Sequence, residues 1–245
     1  QKGGIAAWHA GDSVEDLVAA VRARLAWRAG AVLVKGSRGM RLERVVAAPP
    51  GHQAVRVHPG SYNVLSPLRA PADHVVALVH ATGAPGDAPV KITAMSSALA
   101  VDPGGKFIVD ALNVTKSGAD AFTCTMGAAR LDRLTVSMAT MHALAADACE
   151  LVVRRGVLVS NVVGGAILSG GTLRLENTYI SQNGNPQTGE GGVYLANGAA
   201  IDAVYSTWVE NRGQAGTPFA VACSDDVAKE KVAVRNSLAI NLGFN

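Results

Sequence analysis

The sequence predicts a mainly β chain: a solenoid of stacked parallel strands, preceded by a small α/β fragment. Three observations carry this. Segments of one pattern recur through the second half of the chain. Hydrophobic residues make up 49% of the 245 positions but aromatics only 4%, so the core is built from Val, Ala, Leu and Ile. Composition also breaks near residue 49. Residues 1–48 hold eight Lys/Arg against four Asp/Glu and no Asn, while residues 49–245 hold fourteen against fifteen and all eleven Asn.

In the first part, Ile5–Trp8 is a short apolar run suited to a buried strand. Val14, Leu17, Val18, Val21 and Leu25 follow at helical spacing. Ser13 with Asp16 resembles a capping box, and Gly30 closes that helix. Ala31–Val34 is a second strand, and Lys35–Gly39 is a tight loop before a helix over Met40–Ala48. A glycine-bearing loop between strand and helix either cradles an anion on its backbone N–H groups or is a plain βα turn. The Walker spacing G-x-x-x-x-G-K-[ST] is absent. Pro49-Pro50-Gly51 then stops any helix, since proline removes a donor and restricts its predecessor.

Val32–Val46 (VLVKGSRGMRLERVV) resembles the C-terminal end of the UDP-N-acetylmuramoyl-tripeptide–D-alanyl-D-alanine ligases, and Asp12–Gly30 resembles that family's penultimate helix. The family is cytoplasmic and ATP-dependent. The resemblance implies shared ancestry for residues 1–48 and picks out Lys35, Ser37 and Arg38 as the matching loop residues. No counterpart of the family's nucleotide-binding loop, carbamylated lysine or ATPase domain is present.

From Val55 the periodicity turns to alternation, with Gly, Asn and Ser at the breaks. Leu151–Asn161 (LVVRRGVLVSN), Leu173–Asn183 (LRLENTYISQN) and Ile201–Asn211 (IDAVYSTWVEN) each open on an apolar-x-apolar strand and close on Asn ten residues later. Val232–Asn241 (VAVRNSLAIN) is one residue shorter, and Leu131–Met138 (LDRLTVSM) is an earlier copy without its Asn. The starts give steps of 20, 22, 28 and 31 residues. A second strand follows each Asn, at Gly164–Leu168 and Gly191–Leu195. Stacked coils require this: small aliphatics inside, and Asn or Gly at corners with φ > 0. Gly184–Glu190 and Arg212–Pro218 are expected to absorb the growing steps. The rival is an antiparallel sandwich with hairpins at Asn183-Gly184 and Asn197-Gly198.

Val57–Tyr62 (VHPGSY), the Asn161 and Asn183 coils with their Gly-Gly followers, and Cys149–Arg155 resemble the secreted bacterial right-handed parallel β-helix repeat proteins, which share the pectate-lyase fold. That resemblance covers residues 53–245. It implies a right-handed β-helix, expected here to be truncated at its C-terminal end, of extracellular or cell-surface location. The ligase tail would instead imply the cytoplasm. No signal peptide is visible in the sequence.

A calcium-dependent lyase site needs carboxylates gathered on one face and a base. Asp132, Glu176 and Asp202 lie near equivalent levels, but scattered carboxylates are more simply a solvated face. Asp225-Asp226 suits a turn better than a glycosidase pair. The six His show no ligand spacing, with His142 alone, so no metal and no cofactor are expected. Cys124 and Cys149 either stack as thiols or form a disulfide. No clustered Lys/Arg face marks a nucleic-acid binder, and no apolar run is long enough to span a membrane.

The function expected is a non-catalytic surface module that binds polysaccharide through Arg154, Arg174, Glu176 and Asp202. Tyr179, Tyr194, Tyr205 and Trp208 are the aromatics available to stack on sugar. The alternatives are the peptidoglycan-precursor ligase, or a polysaccharide lyase or hydrolase.

Overall fold

A computed structural model describes residues 31–34, 52–81, 89–185, 187, 190–213, 220–224 and 229–240, the first of these and residues 52–53 as backbone alone. The described residues are strands and turns without helix. Each circuit of the chain lays one strand in each of three parallel sheets, of nine, eight and seven strands, here called sheets 1, 2 and 3. The sheets stack as a parallel solenoid. No antiparallel sandwich forms, and all named strand pairs run parallel. Ala31–Val34 pairs with Ala54–Val57 and heads sheet 1. The helices expected in residues 1–48, the strand at Ile5–Trp8 and the Lys35–Gly39 loop lie outside the described residues, as does Asp225-Asp226.

The repeat aligns as its pattern predicts in the later coils. Leu151, Leu173, Ile201 and Val232 are register neighbours. The earlier copy is shifted: Ala129, not Leu131, lies beside Leu151, and Leu131 lies beside Val153. A slip of two residues keeps every side chain on its own face, so alternation alone does not detect it. With Ala129 as the start, the steps are 22, 22, 28 and 31.

The repeat unit is also two strands rather than one. A corner residue in the left-handed region divides sheet 1 from sheet 2 in six successive coils: Ala111, Arg133, Arg155, Asn177, Tyr205 and Asn236, with φ between 49° and 58°. Only two of these are Asn, although a left-handed L-residue costs roughly 1–2 kcal/mol. The next corner, between sheets 2 and 3, is turned by Met138, Ser160, Gln182 and Glu210. The Asn that ends each repeat follows this corner and does not itself make the turn.

Its work is done by its side chain. Asn161, Asn183 and Asn211 are buried one above another. Asn183 Oδ1 accepts from the Asn161 amide side chain at 2.8 Å and the Asn161 backbone N–H at 3.1 Å. Asn183 Nδ2 donates to Asn211 Oδ1 at 3.0 Å and to Leu158 O at 2.9 Å. The ladder ends on the N–H of Ala139, which donates to Asn161 Oδ1 at 3.0 Å. Once the corner leaves the sheet, the backbone groups there lose their ladder partners, and the amides supply them.

Inside, alternate positions build aliphatic columns such as Leu131, Val153, Leu175 and Ala203, with Phe107, Phe122 and Trp208 the largest fully buried side chains. Cys124 and Cys149 form a disulfide with Cα atoms 6.2 Å apart. They do not occupy equivalent places. Cys124 sits in sheet 3 beside Val101 and Ala146, while Cys149 precedes the next strand of sheet 1 and accepts from the Gly127 N–H. Cys223 carries a thiol that burial pushes up from its usual pKa.

Candidate functional site

The charge of the solenoid is concentrated on sheet 1. Its strands from His52 to Arg235, with the corner residue after each, carry nine Lys/Arg against five Asp/Glu. Sheets 2 and 3, taken the same way over the described residues, carry three of each sign: Arg69, Lys91, Lys116, Asp102, Asp147 and Glu210. The segment's overall acidity therefore hides a face with an excess of four positive charges.

Parallel register brings the expected residues together there. Arg154 and Glu176 are neighbours in one column, and Arg174 and Asp202 in the next. Glu176 is clasped from two sides, with Arg154 Nε and Arg174 Nε each 2.7 Å from one of its oxygens. Asp202 does not join this cluster. The Arg235 guanidinium holds both its oxygens at 2.7 and 2.9 Å. The carboxylates of earlier coils are held likewise. Arg133 grips Asp110 at 2.9 and 2.7 Å, which raises the arginine's pKa further. Arg155 grips Asp132 one coil on, and its hydrogen bond holds that carboxyl below the usual carboxylate range. Pairs this open to solvent contribute little to stability.

Of the four aromatics, Trp208 is in the core and Tyr194 is half-buried, while Tyr179 and Tyr205 are exposed. Both lie at the corner where sheet 1 passes into sheet 2. Tyr205 directly follows Val204, whose register neighbours are Glu176 and Arg235.

A second cluster was not legible from spacing rules for metals. His142 is not alone: it opens a strand of sheet 3 in the column after Asp120, and its side chain is 6% exposed. Asp120 Oδ1 accepts from His142 Nδ1 at 2.8 Å and from its backbone N–H at 2.9 Å. The other ring nitrogen, Nε2, donates to Glu190 Oε2 at 3.1 Å. Gly164, the next residue in the column, leaves the path open, since a Cβ there would lie 3.0 Å from His142 Cδ2. With a carboxylate on each nitrogen, the ring must donate from both, and it is an imidazolium. Burial alone would push its pKa down. The hydrogen bonds to Asp120 and Glu190 and their charges outweigh this and raise it to about 9. For Asp120, burial pulls upward, but the bonds to His142 win and lower its pKa. An imidazolium with both N–H groups committed has no lone pair with which to act as a base. What the cluster can do is fasten Glu190, at the end of the long loop after Asn183, to a coil beneath it.

Among the described residues, no group of His, Cys, Asp and Glu is arranged to hold a metal, and no helix is long and apolar enough to cross a membrane. No protein-family model, no curated protein and no solved structure matches the chain.

Proposed function

We propose that this chain is an exported, non-catalytic module whose sheet 1 binds an anionic polysaccharide, built on a right-handed β-helix of the pectate-lyase kind behind a ligase-tail-like fragment. The observation that carries the reading is the concentration of charge, net positive, on one of three sheets. Coils stack at the ~4.8 Å strand spacing, comparable with the length of a sugar residue, so successive columns meet successive units of a polymer. The mixed signs favour a glycan that offers hydroxyls as well as carboxylates. The buried disulfide favours an oxidising compartment. Asp110, Asp132, Glu176 and Asp202 are each held by arginine, which leaves none of them set up as a calcium ligand or a base.

Calorimetry with oligogalacturonate tests this. Saturable binding is expected, weakening as salt is raised through the range where the Debye length falls below ~10 Å. The Arg154→Gln, Arg174→Gln double variant should bind more weakly. No saturable binding by the wild type refutes the reading.

A further inference from the structure

We infer that Tyr205 and Tyr179 are stacking platforms for individual sugar rings of that polymer, so that the glycan crosses the corner from sheet 1 on to sheet 2. The inference rests on the reading just given and adds which residues grip the ring faces.

Tyr205 is 61% exposed and Tyr179 41%, in a chain with four tyrosines in all. They stand on adjacent coils at the same corner. Tyr179 is in register with Val157 on one side and Thr207 on the other, and Tyr205 lies just before Thr207 in the chain. The corner position itself argues for a purpose. Tyr205 has φ 53°, and its counterparts in the coils on either side are Asn177 at 51° and Asn236 at 49°. Asparagine tolerates this conformation, whereas a bulky ring there is costly. The turn does not call for tyrosine at 205: Asn makes it in the coils above and below, Ala and Arg make it in earlier coils, and the side chain is largely exposed. Its backbone N–H donates to Arg235 O at 3.2 Å, so residue 205 is tied to the next coil at the residue whose guanidinium holds Asp202. Aromatic faces with a polar tip suit the alternately apolar and hydroxylated surfaces of a pyranose.

The test uses residues the fold already places in these columns. Tyr205→Asn copies the neighbouring corners, and Tyr179→Thr copies Thr207, so both variants should keep the fold, checked by circular dichroism. Each should weaken oligogalacturonate binding by about 10-fold, equivalent to ~1.4 kcal/mol, with little change in its salt dependence. Arg174→Gln should instead flatten that salt dependence. Wild-type binding that both tyrosine variants retain in full overturns this inference and leaves the proposed function standing. Absence of wild-type binding overturns both. Tyrosine-dependent binding of oligothymidylate without binding of oligogalacturonate would also overturn it, assigning the platform to nucleic acid.

Discussion

Alkaline pH should loosen this protein through one side chain. His142 sits between Asp120 and Glu190 with a pKa raised to about 9, against about 6.5 in an unfolded chain. A group whose folded pKa is raised contributes stability that is fully present below 6.5 and is lost as pH rises through 9. At about 1.4 kcal/mol per pH unit, the gap corresponds to roughly 3 kcal/mol, an order-of-magnitude figure. Urea denaturation of the wild type and of His142→Gln at pH 6 and pH 9.5 isolates the effect. The variant keeps one donor but no charge, so its deficit should be large at pH 6 and much reduced at pH 9.5. The ring resonances of His142 followed by NMR should titrate near 9. A titration near 6.5, or a deficit independent of pH, would refute the reasoning. Asp120 sets the opposite limit: its lowered pKa stabilises above the unfolded value of 3.8 and is lost as pH falls through the folded value.

Other measurements probe the scaffold. Asn183→Ala removes four hydrogen bonds from the buried ladder and leaves Asn161, Asn211 and the Leu158 carbonyl short of partners, with an expected loss of about 2–4 kcal/mol in urea. Thiol counting on the unfolded, non-reduced protein should give one thiol, from Cys223. Reduction should give three and cost about 3–4 kcal/mol in the chain-entropy treatment of a 25-residue separation. Gly164→Val should push the ring of His142 off its line to Glu190 and lower the NMR pKa of that ring; an unchanged pKa would show that the gap in the column is incidental.

The architecture was legible because each coil repeats the pattern of its opening strands, even as the step grows from 22 to 31 residues. The Asn ten residues after three of the strand starts marks the ladder, but not as the corner with φ > 0: the side chains feed backbone groups, and neighbouring residues take the left-handed turn. That turn left no signal in composition, since Arg, Met, Ala and Glu make it as well as Asn. The corner inside each repeat unit was hidden for the same reason. Stacking imposes the conformation and offsets its cost, so the local sequence need not favour it.

The site was legible only in part, and the cause lies in what register does to distance. Once Leu151, Leu173 and Ile201 are aligned, Arg154, Glu176 and Arg174 fall together. Asp202 is placed next to Arg174 by the same alignment, yet Arg174 turns to Glu176 in its own strand, and Arg235 from the next coil holds Asp202. His142 was missed because metal-ligand rules count residues along a strand or helix. In a solenoid the relevant interval is the coil: Asp120 and His142 are 22 residues apart, one full step. Glu190 is reached only by skipping a glycine coil and crossing a lengthened loop, and no fixed interval encodes that. The face of sheet 1 was concealed in a related way. Summed along the chain, residues 49–245 are slightly acidic, but the solenoid sorts charge by sheet and not by sequence. Charged residues at the starts and ends of sheet 1 strands therefore accumulate in columns that a linear count averages away.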